Sequence, residues 1–312
     1  MGGTAGNGLR RHLISLSDVD TAELGRLVRM SVGFAEGHRR GEPLSGAVVG
    51  IYFRKTSTRT RTAFSTAALR LGARIISYGP DDLQLNTGET IEDTAKVMSR
   101  MLDGLVARTT GTMRELRALG DQSTMSVINA MSALEHPTQA LADLTTLMRR
   151  FGRLEGLRVL YVGEGNSTAV ALALALSRFP GTKLYLRTPA GYGLDPEVAV
   201  QAKGYAAASG ALVEERHDMA ELPRDVDAVY TTRWQTTGTD KPDPNWRELF
   251  APFQVDQDVL DSSPEAVFLH DLPAHRGEEV TAEVLDGPRS IAFDQAENKL
   301  YSAMAALEWC IR

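Results

Sequence analysis

Short apolar runs alternating with amphipathic helical patterns, in two successive series, constrain this chain more than any other feature of it. In the first series, 48–53, 74–78, 104–108 and 125–129 read as strands, each bounded by turn or polar residues. Between them lie helical patterns at 60–71, closed by Gly72, and at 91–102, where Thr90 with Asp93 three residues on gives a capping signal. Upstream, Asp20 with Glu23 opens an amphipathic helix through about residue 35. The second series has strands at 157–163, 183–187, 228–232 and 266–270, separated by helices such as 169–179. A helical stretch at 138–151 joins the two series, and 297–311 is a terminal helix. Strand–helix alternation implies parallel sheets with helices on both faces, because parallel strands need crossover connections. At 312 residues the chain exceeds the size at which single cores stop growing, roughly 250 residues, so two doubly wound α/β domains are expected. Such sheets hold ligands at the carboxyl ends of their strands.

Composition narrows the class. Hydrophobic residues at 43% and charged residues at 24% allow a buried core, which excludes wholesale disorder. The formal charge of −6 has the wrong sign for general nucleic-acid binding, yet leaves room for a local basic pocket that takes an anionic metabolite. The single cysteine, Cys310, cannot form an internal disulfide and is expected to be an inert thiol. No Cys/His cluster has zinc spacing. No apolar run approaches the ~18 residues of a membrane span, and the first dozen residues lack the apolar stretch of a secretory signal. A soluble, cytoplasmic protein with no metal and no cofactor is expected.

Three stretches follow strands directly. The densest is Phe53-Arg54-Lys55-Thr56-Ser57-Thr58-Arg59-Thr60-Arg61-Thr62. Backbone N–H groups at a helix start favour an anion, and hydroxyl and guanidinium donors complete a phosphate cradle. A solvated basic helix start is the plainer alternative, but cations at the positive end of a helix dipole are unfavourable without an anion. The second stretch, His136-Pro137-Thr138-Gln139, would turn His136 and Gln139 toward a carbonyl, or simply start a helix. The third runs from His270 to Glu279 and gathers histidines and carboxylates without metal-ligand spacing. Met98, Met101 and Met131 read as core. His217 and His275 read as surface or capping residues.

Together these segments resemble the aspartate/ornithine carbamoyltransferase family. Ser57-Thr58-Arg59-Thr60-Arg61 looks like its carbamoyl-phosphate motif, and His136-Pro137-Thr138-Gln139 matches its H-P-T-Q. Leu272-Pro273 with Glu278-Glu279-Val280 looks like the H-C-L-P…E-E-V loop of the ornithine branch. Gly163-Glu164-Gly165-Asn166, Pro288-Arg289-Ser290 and Ala296-Glu297-Asn298 add likeness, so the resemblance runs from about Arg11 to the C-terminus. It implies a carbamoyl-phosphate domain at 1–137 plus 288–312, the terminal helix folding back onto it, and an amino-acid domain at 138–287. By similarity, Ser57, Thr58, Arg59 and Thr60 bind phosphate, Arg108 is shared between phosphate and carbonyl, and Arg289 adds a cation. His136 donates to the carbonyl oxygen, and Gln139 with the Leu272 carbonyl holds the carbamoyl NH2. The bond from Leu272 to Pro273 is cis in the family. Gln84 sits where the family reaches into a neighbouring subunit's site, which implies a homotrimer with shared sites. Arg59, Thr60, Arg108, His136 and Asp271 are the catalytic candidates.

The likeness breaks on the acceptor side. Asp271 stands where the ornithine branch has Cys, and Thr232 where that branch has the Asp of Asp-x-x-x-Ser-Met-Gly. The residue meeting the acceptor's carboxylate region aligns with Asn166 or Ser167. The run Tyr230-Thr231-Thr232-Arg233-Trp234-Gln235-Thr236 looks instead like the aspartate branch's T-R-x-Q, so Arg233 and Gln235 are carboxylate candidates, with Thr236 beside them. Yet Thr87 replaces the lysine that precedes Gly-Glu-Thr in aspartate enzymes, and 238–246 is an insertion closer to the ornithine branch. The expected reaction is transfer of a carbamoyl group to a small amino acid other than plain ornithine, such as 2,3-diaminopropionate. Asp271 would take the amine's proton or grip a cationic part of the substrate; the plainer alternative is a hydrogen bond within its loop to His275 or Arg276. Ornithine carbamoylation with an unusual loop, and a catalytically silent metabolite-binding relative, are the rival readings. Gly163-Glu164-Gly165-Asn166 falls short of G-x-G-x-x-G, which weakens a dehydrogenase reading.

Overall fold

A computed structural model describes residues 10–109, 111–236 and 240–312. The first part of the chain runs α1 (Thr21–Ala35), β1 (Val48–Phe53), α2 (Arg59–Arg70), β2 (Arg74–Tyr78), α3 (Ile91–Met98), β3 (Gly104–Arg108), α4 (Met113–Gly120), β4 (Ser126–Asn129) and α5 (Pro137–Phe151). The second runs β5 (Arg158–Val162), α6 (Ser167–Leu176), β6 (Lys183–Arg187), α7 (Pro196–Ser209), β7 (Leu212–Arg216), β8 (Ala228–Thr231), α8 (Trp246–Phe250), α9 (Gln257–Asp261), β9 (Val267–His270), α10 (Ala282–Leu285) and α11 (Ala292–Ile311). The capping signals act as expected: the side chains of Asp20 and Thr90 accept from the N–H groups of Glu23 and Asp93.

Both sheets are parallel, in the orders β2-β1-β3-β4 and β7-β6-β5-β8-β9. Each order reverses direction once, between β1 and β3 and between β5 and β8. Those are the points where loops splay apart and leave a crevice at the strand ends. The chain is thus two doubly wound α/β units. Strand β7 is absent from the sequence expectation because it is an edge strand on which only Val213 is buried, so it carries no apolar run. By contrast α6, Ser-Thr-Ala-Val-Ala-Leu-Ala-Leu-Ala-Leu, is buried at every position. It packs between α5 and α7, which is why it is apolar on all sides.

Two helices tie the units together. α5 packs on both α1 and α6, and α11 packs against α1, α2 and α5. Backbone bonds from Phe268 to Arg289 and from Ile291 to Phe268, both 2.9 Å, keep 289–291 along β9. The chain therefore leaves the second sheet after Ile291, a few residues beyond Pro288. α11 also starts five residues before the expected 297, because Ala292 and Gln295 are already buried in it. Cys310 is buried there, where burial pushes its thiol pKa up. Met98 is core, but Met101 is largely exposed at 72%, so the core expectation fails for it: it lies just past the end of α3, outside the buried stripe. No described helix is long and apolar enough to cross a membrane.

Candidate active site

Where the two strand-order reversals face each other lies a cavity of about 320 Å³. Its floor on one side is the β1–α2 turn, with Thr56, Ser57, Thr58, Arg59 and Thr60 lining it. Thr58, the N-cap of α2, makes no side-chain cap bond, so the helix's first N–H groups stay available to an anion. An Arg54–Glu115 ion pair at 2.8 Å and stacking of Arg61 over Phe53 hold the turn from outside. Arg108, at the end of β3, points its guanidinium at Ser57 Oγ, 3.4 Å away. Burial, then repulsion from Arg59, lowers its pKa to about 10, and Asp271 opposes that shift. Several cations in one cleft, Arg108 among them largely desolvated, are unfavourable without an anion between them.

The α5 N-terminus supplies His136, Thr138 and Gln139, all buried. Burial first, then the charges of Lys299 and Arg108, depresses the His136 pKa well below that of free histidine, so its imidazole is neutral. Thr138 Oγ1 lies 3.3 Å from its Nδ1. Gln139 is held at both ends: its Nε2 donates to Asp143 Oδ1 at 2.7 Å, and its Oε1 accepts from Lys299 Nζ. Asp143 also accepts from Gln295 and Tyr230, at 2.6 and 3.1 Å. Burial lowers the Lys299 pKa to about 8.

The opposite wall comes from the second sheet. Asn166 caps α6, accepting from Thr168 N at 3.0 Å, while its Nδ2 donates to Thr236 Oγ1 at 3.1 Å. Ser167 passes its carbonyl to His136 N–H at 3.1 Å and so links the walls. Gly165 is required here: a Cβ would fall 2.2 Å from the Gly193 carbonyl carbon. Thr232, Arg233, Gln235 and Thr236 follow β8 and line the cavity. Arg233 has no side-chain partner among the described residues, and a cavity-facing guanidinium without a partner suits a carboxylate.

Asp271 does not bond to His275 or Arg276, so the plainer expectation for it fails. Its Oδ1 accepts from Thr232 Oγ1 at 2.9 Å and its Oδ2 from Thr168 Oγ1 at 2.8 Å. His275 instead pairs with Glu278 and Arg276 with Asp286. The bond from Leu272 to Pro273 is cis, and Leu272 has φ +54°. The buried His270 sets this turn: Leu272 N–H donates to its Nδ1 at 2.8 Å, leaving Nε2 to donate to Glu279 at 3.1 Å.

Of the sequence candidates, two lie outside the cavity lining. Arg289 donates to the carbonyl of Pro264 at 2.9 Å and pairs with Asp261, which turns its charge away from the phosphate side. Gln84 is exposed on the 3-10 helix Gln84–Thr87, where its Oε1 accepts from Thr87 at 2.7 Å. Gly238, which begins the 238–246 insertion, lies outside the described residues. Lys299 and Thr168 line the cavity although neither is among the sequence candidates, and so does Met131, which is half-buried rather than part of the expected core. A signal for Lys299 existed: Gln295, Asn298, Lys299 and Ser302 are polar residues at helical spacing on the face of α11 that the core needs. Among the described residues, no group of three or more His, Cys, Asp or Glu could hold a metal.

Residues 11–149 match the family model of the aspartate/ornithine carbamoyltransferase carbamoyl-P binding domain, and 155–310 match the model of the Asp/Orn binding domain. The ornithine carbamoyltransferase of Symbiobacterium thermophilum is 41% identical over 95% of this chain and 96% of its own length. That of Thermococcus kodakarensis is 38% identical over 95% of both chains. The solved ornithine carbamoyltransferase of Pyrococcus furiosus superposes with a TM-score of 0.90 at 38% identity, covering 96% of each chain.

Proposed function

The chain belongs to the aspartate/ornithine carbamoyltransferase family and is a carbamoyltransferase, and from that premise we propose that it carbamoylates a small amino acid other than plain ornithine, with 2,3-diaminopropionate the acceptor type we favour. The observation that carries the reading is the pairing, in one cavity, of an Arg233 without a side-chain partner among the described residues and an Asp271 whose two oxygens accept from Thr232 and Thr168.

On the donor side, the α2 N-terminus with Ser57, Thr58, Arg59 and Thr60 takes the phosphate, and Arg108 reaches both phosphate and carbonyl oxygen. Neutral His136 donates to that oxygen as negative charge develops, an oxyanion-type stabilisation. Gln139, already fixed by Asp143 and Lys299, keeps a second Oε1 lone pair for the carbamoyl NH2, and the Leu272 carbonyl holds the same group.

On the acceptor side, Arg233 makes a bidentate contact to the carboxylate, with Gln235, Thr236, Asn166 and Ser167 along the wall. An alkylamine has a pKa near ~10, so the nucleophile must lose a proton, and a carboxylate alone would make that harder. Arg59, Arg108 and Lys299 offset this, since all three interact electrostatically with Asp271. The amine nitrogen bonds to the carbamoyl carbon, the carbon–oxygen bond to phosphate breaks, and the amine proton passes to Asp271. Binding and charge stabilisation carry the reaction, and closure of the two domains over the bound donor would keep water from it.

Ornithine is the second reading, because the relatives described above carry that name. Phosphate release measured with ornithine, aspartate and 2,3-diaminopropionate separates the readings, and Arg59→Ala serves as the inactive control. A homotrimer is part of this proposal: exposed Gln84 would complete a neighbour's site. Mixing inactive Arg59→Ala with inactive Gln84→Ala subunits then restores activity, whereas no recovery counts against shared sites.

A further inference from the structure

The acceptor wall is backed by a buried cation that does not itself line the cavity. Lys241 is 2% exposed at its side chain, and its Nζ lies 2.6 Å from Glu164 Oε1. The same ammonium sits 4.4 Å from the ring centre of Tyr192, 4.5 Å from Phe250 and 5.3 Å from Trp246. Those rings already pack edge to face on one another, Tyr192 against Phe250 at 4.9 Å and Trp246 against Phe250 at 5.4 Å. Ring faces attract a desolvated cation strongly, and the carboxylate neutralises it. The cage is assembled from three places in the chain: the loop after β6, the loop after β5 and helix α8.

Glu164 does more than neutralise. Its other oxygen accepts from Thr236 Oγ1 at 3.3 Å, and Thr236 accepts in turn from Asn166 Nδ2. Asn166 also caps α6, whose Thr168 holds Asp271. A continuous polar chain thus runs from Lys241 to the cavity wall and on to the carboxylate.

We propose that Lys241 is a positioning residue that sets the acceptor wall, holding Thr236 and Asn166 in place through Glu164 from within the aromatic cage. The inference rests on the reading of that wall as the acceptor site. Lys241 touches no reacting atom; it removes freedom from groups that do, which lowers the ordering cost of binding the amino acid.

Lys241→Met tests this, because it removes the charge yet leaves an unbranched side chain among the rings. The expected result is an acceptor KM raised about tenfold or more, a carbamoyl-phosphate KM within about twofold, and partial rescue in Lys241→Arg. An unchanged acceptor KM, or an equal loss for both substrates without rescue, overturns the proposal. Hydrogen–deuterium exchange on ligand-free protein decides the same point without an acceptor. Peptides covering 230–236 exchange faster in Lys241→Met while those covering 48–53 do not, and identical exchange at 230–236 overturns it. If the wild type accepts no amine in the panel, the acceptor reading fails and the exchange result still decides whether Lys241 holds this wall in place.

Discussion

Thr232 donates to Asp271 across 2.9 Å, joining the end of β8 to the turn after β9. With Thr168 on the other oxygen, both carboxylate oxygens accept from neutral hydroxyls, which orient the group without neutralising it. Asp271→Asn keeps the size but loses the base. Acceptor-dependent turnover falls by about 10² or more, while carbamoyl-phosphate binding is retained. Asp271→Cys, which installs the residue typical of the ornithine branch, shifts the kcat/KM ratio toward ornithine. An unchanged amine preference in that variant would remove Asp271 from specificity.

On the proposed reading Arg233, which lines the cavity, anchors the acceptor's carboxylate. A hydrogen bond to a charged group contributes about 1.5–3 kcal/mol, so Arg233→Ala raises the acceptor KM by about 10- to 100-fold. Carbamoyl-phosphate affinity, measured by calorimetry, does not change. Loss of donor binding instead would place Arg233 on the phosphate side.

How far the sequence carried this picture depends on the residue. Strands such as Val48–Phe53 were legible because buried parallel strands are apolar throughout; β7, exposed at the edge, was not. The β1–α2 turn and His136 both line the cavity, and what marks them in the sequence is a run of hydroxyls and cations, and a histidine, placed directly after strands. Arg289 was misread: a motif near the right place in sequence says nothing about which way a long side chain turns, and here Asp261 captures it. Nothing local in the sequence gives the partners of Lys299 and Lys241, because Gln139 and Glu164 are distant along the chain and only folding brings them together.

Glu135 carries a pH dependence apart from catalysis. Burial pushes its pKa up to about 7, against hydrogen bonds from Ser15 Oγ at 2.6 Å and Leu16 N at 2.8 Å. Its folded pKa lies above its unfolded value, so the protonated form's stabilisation is complete below about pH 4.5 and disappears as pH rises through 7. Glu135→Gln removes this term. Relative to wild type, the variant gains on the order of 2 kcal/mol of stability between pH 5 and pH 8. Urea denaturation at the two pH values measures it, and a difference that stays constant contradicts the assignment.

The most direct test of the central claim is phosphate release from carbamoyl phosphate with each of ornithine, aspartate and 2,3-diaminopropionate, run beside Arg59→Ala. The expected result is that 2,3-diaminopropionate stimulates release well above ornithine and aspartate, and that Arg59→Ala is inactive with all three. Stimulation by ornithine above the others would contradict it, and would mean that Thr232 and Asp271 serve the same acceptor as the residues they replace.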